Sequence, residues 1–151
     1  MPNPRSTAQI AGHPLHPMLV PFPIAFFVAT LACDIVYSQT DDPFWFTATE
    51  WLLGAGVIIA LLAALAGLTD VLGDARIRAI TIVWWHLFGN LLVVLIEAAN
   101  WYRRYAVGPP AVISTGLILS VIAVLILLVT GWLGWEMVYR RRIGIADEPA
   151  L

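Results

Sequence analysis

Apolar residues run along this chain in four stretches, covering 17–37, 44–69, 79–101 and 111–139. A helix that crosses a bilayer needs about 20 predominantly apolar residues, and each stretch meets that length. The segments between them, 38–43, 70–78 and 102–110, are short. Short connections force neighbouring helices to run antiparallel. The pattern therefore predicts an all-α polytopic membrane protein, four transmembrane helices in an up-down antiparallel bundle. Residues 12–144 form the single domain of this reading, with flexible termini at 1–11 and 145–151.

Two stretches carry a periodicity of their own. In the third, His86, Asn90, Glu97 and Asn100 follow at spacings of four, seven and three. On a helix of about 3.6 residues per turn they share one face. Polar groups facing lipid are costly, so this stripe is expected to face the bundle interior. In the second, Gly56, Ala60, Ala63, Ala64 and Gly67 recur at similar spacing. Such a row of small residues lets helix backbones approach closely in lipid.

Composition sharpens the class. Hydrophobic residues make up 60% of the 151 positions and charged residues 12%, against about 45–50% and about 25% in soluble domains. A net charge of −2 gives no electrostatic footprint for a nucleic-acid partner. A single cysteine, Cys33, excludes an internal disulfide and reads as a buried small hydrophobe. The polar N-terminus runs into prolines rather than a signal-peptide core, so the first span is read as retained. All eight basic residues are arginines. Arg5, Arg76, Arg78, Arg140, Arg141 and Arg142 fall on the side that holds both termini, and Arg103 and Arg104 on the other. The positive-inside rule then puts both termini on the cytoplasmic side.

The polar residues fall into two layers. All three histidines, His13, His16 and His86, are expected at the face that holds the termini, with Asp70 and Glu136 at the same depth. Gly67, Gly89, Gly131 and Gly134 share that layer and leave room for helix contact or for a flat cofactor. The prolines of HPLHP bias each preceding histidine away from helix, toward extended backbone or a helix start. Asp34, Glu50, Glu97 and Asn100 form the opposite layer. Asp34 and Glu50, near span ends, read as wetted interfacial groups, and Glu97 lies deeper.

Three imidazoles with Asp70 and Glu136 suit a transition metal, iron foremost. Two imidazoles also suit the axial positions of haem b, with Arg76 and Arg78 available to its propionates. His16 or His13 with His86 are the expected ligands. No HExxH, Walker A, GxGxxG or paired CxxC motif is present, and no nucleophile stands beside the histidines, so no enzymatic reaction is specified. Two other functions fit the same residues. One is a structural or interaction subunit whose histidines are hydrogen-bonded packing groups. The other is a transporter or proton-relay element using the Asn90–Glu97 face.

The chain also resembles a family of small bacterial membrane proteins, domain of unknown function 2231. The resemblance lies in GHPLHPMLVPFPIAFF, in Gly67 and Asp70 of GLTD, in His86 with Asn90, and in GWLGWEMVYRRRIG. It runs from about Gly12 to about Gly144. It implies the four-span fold and the histidine positions. Related proteins occur beside or fused to redox modules such as Rieske-type domains, which implies electron-transfer surroundings. The chain is thus expected in a bacterial inner membrane with both termini cytoplasmic; its expected partners are the lipid bilayer and a redox protein, with a homo-oligomer left open.

Overall fold

The computed structural model describes residues 2–145. A two-residue ladder opens the chain: β1 (Gln9–Ile10) pairs antiparallel with β2 (His13–Pro14), Ile10 opposite His13. Ala11 and Gly12, at φ 48° and 81°, make the tight turn between them. Next come α1 (Leu15–Leu19) and α2 (Pro21–Thr40), which together form the first span. The second span is α3 (Pro43–Gly73). A short α4 (Ala75–Arg78) leads into α5 (Thr81–Val107), the third span. The fourth is α6 (Leu117–Trp135), with a π-type turn at each end, Val112–Gly116 and Glu136–Arg140.

All four helices are long and apolar enough to cross a membrane. The first two spans extend past the hydropathy bounds at both ends and the third past its C-terminal bound, because helical hydrogen bonding continues through polar residues there. Ser38 and Thr40 return their hydroxyls to the carbonyls of Ile35 and Val36 and so continue α2. Asp41, at φ 52°, ends it. Asp42 then caps α3 by accepting from the Phe44 N–H at 2.9 Å, with Pro43 in the first turn. Gly108, at φ 76°, ends α5.

The helices pack in a ring: α2 on α3, α3 on α5, α5 on α6 and α6 on α2. Phe27, Leu53, Val57, Ala60, Val93, Val94, Ala123 and Leu127 fill its middle. Gly56 is one of its tight points. A Cβ there would meet Phe27 at 2.6 Å, so the glycine lets α2 close on α3. Ala60, Ala63 and Ala66 continue that buried row, whereas Ala64 points outward. The outer surface is apolar, with Leu61, Leu65, Leu95 and Leu128 among its exposed residues. An apolar exterior around polar interior layers is how a chain matches a lipid solvent.

Hydrogen bonds tie the N-terminal segment to the bundle. Asp70, near the end of α3, accepts from the backbone N–H of Thr7 and of Ala8, both at 2.7 Å, and from the Ser6 hydroxyl at 2.8 Å. Gly144 N–H reaches the Pro4 carbonyl at 2.9 Å, so both ends of the chain lie at one face of the bundle. The rest of the C-terminal stretch, 146–151, lies outside the described residues.

Candidate functional site

Two polar layers cross the bundle, separated by the apolar middle. The layer nearer the termini is built on His16 and His86. Pro14 fixes an extended backbone just before α1, so the chain turns into helix at Leu15 and His16 sits in its first turn. The Nδ1–H of His16 donates to the Ala63 carbonyl on α3 at 2.7 Å. The Nδ1–H of His86 donates to the Thr130 carbonyl on α6 at 2.9 Å. With Nδ1 used as donor, the free lone pair of each ring is on Nε2. The ring centroids are 6.2 Å apart and the planes cross at 80°.

The glycines of this layer make room for these side chains. A Cβ on Gly67 would stand 2.9 Å from Nδ1 of His16, and one on Gly134 would stand 3.2 Å from Cε1 of His86. Gly89 leaves space for the Thr130 methyl, and Gly131 faces open space. Asn90 ties the layer together. It donates to the His86 carbonyl at 2.8 Å and accepts from the Thr130 hydroxyl at 3.2 Å.

The other residues expected in this layer are engaged elsewhere. His13 is exposed on the hairpin, with Nδ1 on the carbonyl of Ala11 at 3.0 Å. Asp70 is occupied by the N-terminal segment, and Glu136 pairs with Arg140 at 3.3 Å. Arg76 pairs with Asp74 at 2.6 Å and holds that carboxyl at about 2, below its ordinary range. Arg78 donates to the carbonyls of Val71 and Leu72. Among the described residues no three His, Cys, Asp or Glu side chains are grouped to hold a metal ion. Of the residues expected around a cofactor, the histidine pair is what the fold brings together.

The opposite layer centres on Arg104. Its guanidinium forks onto Asp34 of α2, Nη1 to Oδ1 at 2.6 Å and Nη2 to Oδ2 at 2.9 Å. Nη1 also donates to Thr49 of α3 at 2.5 Å, and both Nε and Nη2 donate to Oδ1 of Asn100 at 3.2 Å. The Ser120 hydroxyl of α6 donates to Asp34 at 2.7 Å. Asn100 passes its amide hydrogens to Ser120 at 3.1 Å and to Glu97 Oε2 at 2.9 Å. None of these six side chains belongs to a residue more than 1% exposed. Asp34 is thus a fully buried ion-pair partner and not a wetted interfacial group. Glu50 is partly exposed at the same end of α3.

Reading the sequence missed four members of this layer: Arg104, Thr49, Ser120 and Gly116. Arg104 follows Trp101, Tyr102 and Arg103, as interfacial arginines do. Yet it stands four residues after Asn100 and seven after Glu97, in phase with their stripe. Gly116 has no such signal. Its need is set by three-dimensional packing, since a Cβ there would lie 3.1 Å from Nη2 of Arg104 and 3.2 Å from Oδ1 of Asn100.

Four lipid-length helices around two polar layers define a polytopic membrane bundle with hydrogen-bonded polar groups inside it. The chain belongs to the family described as predicted membrane protein, DUF2231, which it matches over residues 12–147. No curated protein and no solved structure matches it.

Proposed function

We propose that the protein is a membrane electron carrier that holds one b-type haem between His16 and His86. The observation that carries this reading is the geometry of the imidazole pair. Metal–nitrogen bonds of about 2 Å on either side of one ion hold two ring centroids roughly 6 Å apart. The pair stands at 6.2 Å. Each Nδ1 is tied to a backbone carbonyl, which fixes the tautomer and leaves Nε2 as a neutral ligand. A bare ion requires about four ligands, and among the described residues no third His, Cys, Asp or Glu joins the pair. A haem would need only two ligands from the chain, and His16 and His86 are the residues that would hold it.

Bound there, haem iron supplies one-electron reduction and oxidation. The work of the chain's residues is positional. Ala63 and Thr130 orient the rings, Gly67 and Gly134 let them lie close against α3 and α6, and Asn90 holds the turn that carries His86. Arg76 and Arg78 are the basic groups offered to propionates, in exchange for their bonds to Asp74 and to the end of α3. His13, Asp70 and Glu136 have no ligand role in this reading.

The same proposal places the chain in a bacterial inner membrane with both termini cytoplasmic, exchanging electrons with a redox partner at that face. The arginine asymmetry supports this orientation more strongly once Arg104 is set aside as an interior residue. Arg103 then stands alone against six.

Expression with added haem precursor followed by gentle purification tests the assignment. The wild type and His13→Ala should show the absorption bands of a six-coordinate b-type haem. His16→Ala and His86→Ala should each lose them while remaining folded by circular dichroism. A colourless wild type, or single variants that keep the full spectrum, would overturn it.

A further inference from the structure

The buried layer around Arg104 contains two carboxyls and one guanidinium, and its hydrogen bonds are unevenly shared. A guanidinium has five N–H donors. Two go to Asp34, one to Thr49 and two to Asn100. None remains for Glu97. That side chain is 0% exposed and receives a single hydrogen bond, from Asn100 to Oε2, while its Oε1 is buried without a partner. The orientation of Asn100 is fixed, because its Oδ1 is required by Arg104 and only its amide hydrogens can face Glu97.

We propose that Glu97 is a proton-binding site, a neutral carboxylic acid that exchanges one proton with water inside the span. Asp34 and Arg104 cancel each other's charge, so the layer is neutral only when Glu97 carries the proton. Ionised, Glu97 would offer about four acceptor sites to one donor and leave a net negative charge in a low-dielectric interior, where unpaired charge is strongly disfavoured. A proton on Oε1 turns an acceptor without a donor into a donor. The step balances simply: a hydronium ion gives one proton to Oε1 and becomes water, so one O–H bond breaks as another forms.

The elements packed around the site add no second cation. Helix α2 brings Asp34, with Cys33 and Tyr37 within a turn of it. Helix α3 brings Thr49, with Glu50 next in the chain. Helix α6 brings the uncharged Ser120, and α5 itself brings Arg104. The site is separated from the histidine pair by the apolar middle of the bundle, and the proposal does not depend on a haem being present.

Infrared difference spectroscopy of the protein in lipid nanodiscs at neutral pH tests this, comparing wild type with Glu97→Gln. The amide isostere keeps an acceptor for Asn100 and removes only the ionisable group. The expected result is loss of one protonated-carboxyl band, which in the wild type shifts on exchange into heavy water. Loss of a carboxylate band instead, or no difference in either region, would overturn the proposal. Should Glu97→Gln not fold, wild type labelled with carbon-13 at glutamate side-chain carboxyls gives the same reading. A labelled protonated band supports the proposal, and labelled carboxylate bands alone refute it.

Discussion

Arg104 shows how one side chain can organise a membrane interior. It reaches groups on three helices, and every donor it has is used. Removing one partner of a buried ion pair leaves the other charge unpaired, at a cost of about 3–5 kcal/mol. Arg104→Leu should therefore lower the unfolding midpoint in detergent strongly. Combining it with Asp34→Leu should recover part of the loss, because apolar pairs of similar size can replace buried ion pairs. Equal destabilisation by the single and double variants would show that the pair is not the source. The partial legibility of this layer follows from what periodicity records. Asn100 and Glu97 share a phase that shows on one helix, whereas Thr49 and Ser120 are ordinary span residues until Arg104 reaches the first and Asp34 and Asn100 the second, all from other helices.

Among the elements, the four spans could be read closely from hydropathy, and their ends could not. A hydropathy boundary marks where apolar residues stop, while a helix stops where its hydrogen bonding is capped. Asp42, Asp74 and Gly108 supply those stops. The N-terminal segment was hidden for a related reason. Its sequence is polar and proline-rich, and its order comes from Asp70 and Asp74, more than sixty residues away. Asp74 accepts from Arg76 and from the backbone of Arg5, while Arg76 also donates to the Pro2 carbonyl at 2.8 Å. The Asp74 carboxyl is lowered from 3.8 to about 2, first by its hydrogen bond from Arg76. A lowered carboxyl value stabilises the fold above the ordinary range, and that contribution fades as pH falls from about 4 to about 2. Proteolysis of the N-terminal segment should thus accelerate in the wild type over that interval. In Asp74→Asn it should already be fast at pH 6. A wild-type rate flat across the interval would rule out this anchoring role.

For the molecule as a whole, the testable statement is its orientation. A reporter at Pro109, in the turn between the third and fourth spans, and one at the C-terminus should lie on opposite sides of the membrane. The C-terminal reporter should be the cytoplasmic one. Both reporters on one side would break the four-span topology. The Asp34–Arg104 pair carries a consequence for how such a molecule is made. The first span enters the membrane with an acid that has no counter-charge until the third span arrives, seventy residues later. Isolated in lipid, an unpaired acid or arginine disfavours insertion, by about 2.5–3.5 kcal/mol at a helix centre and by less toward the ends, where Asp34 and Arg104 stand. Incomplete chains therefore carry a chemical mark of their incompleteness, and only the finished molecule conceals it from the machinery that clears orphaned membrane segments.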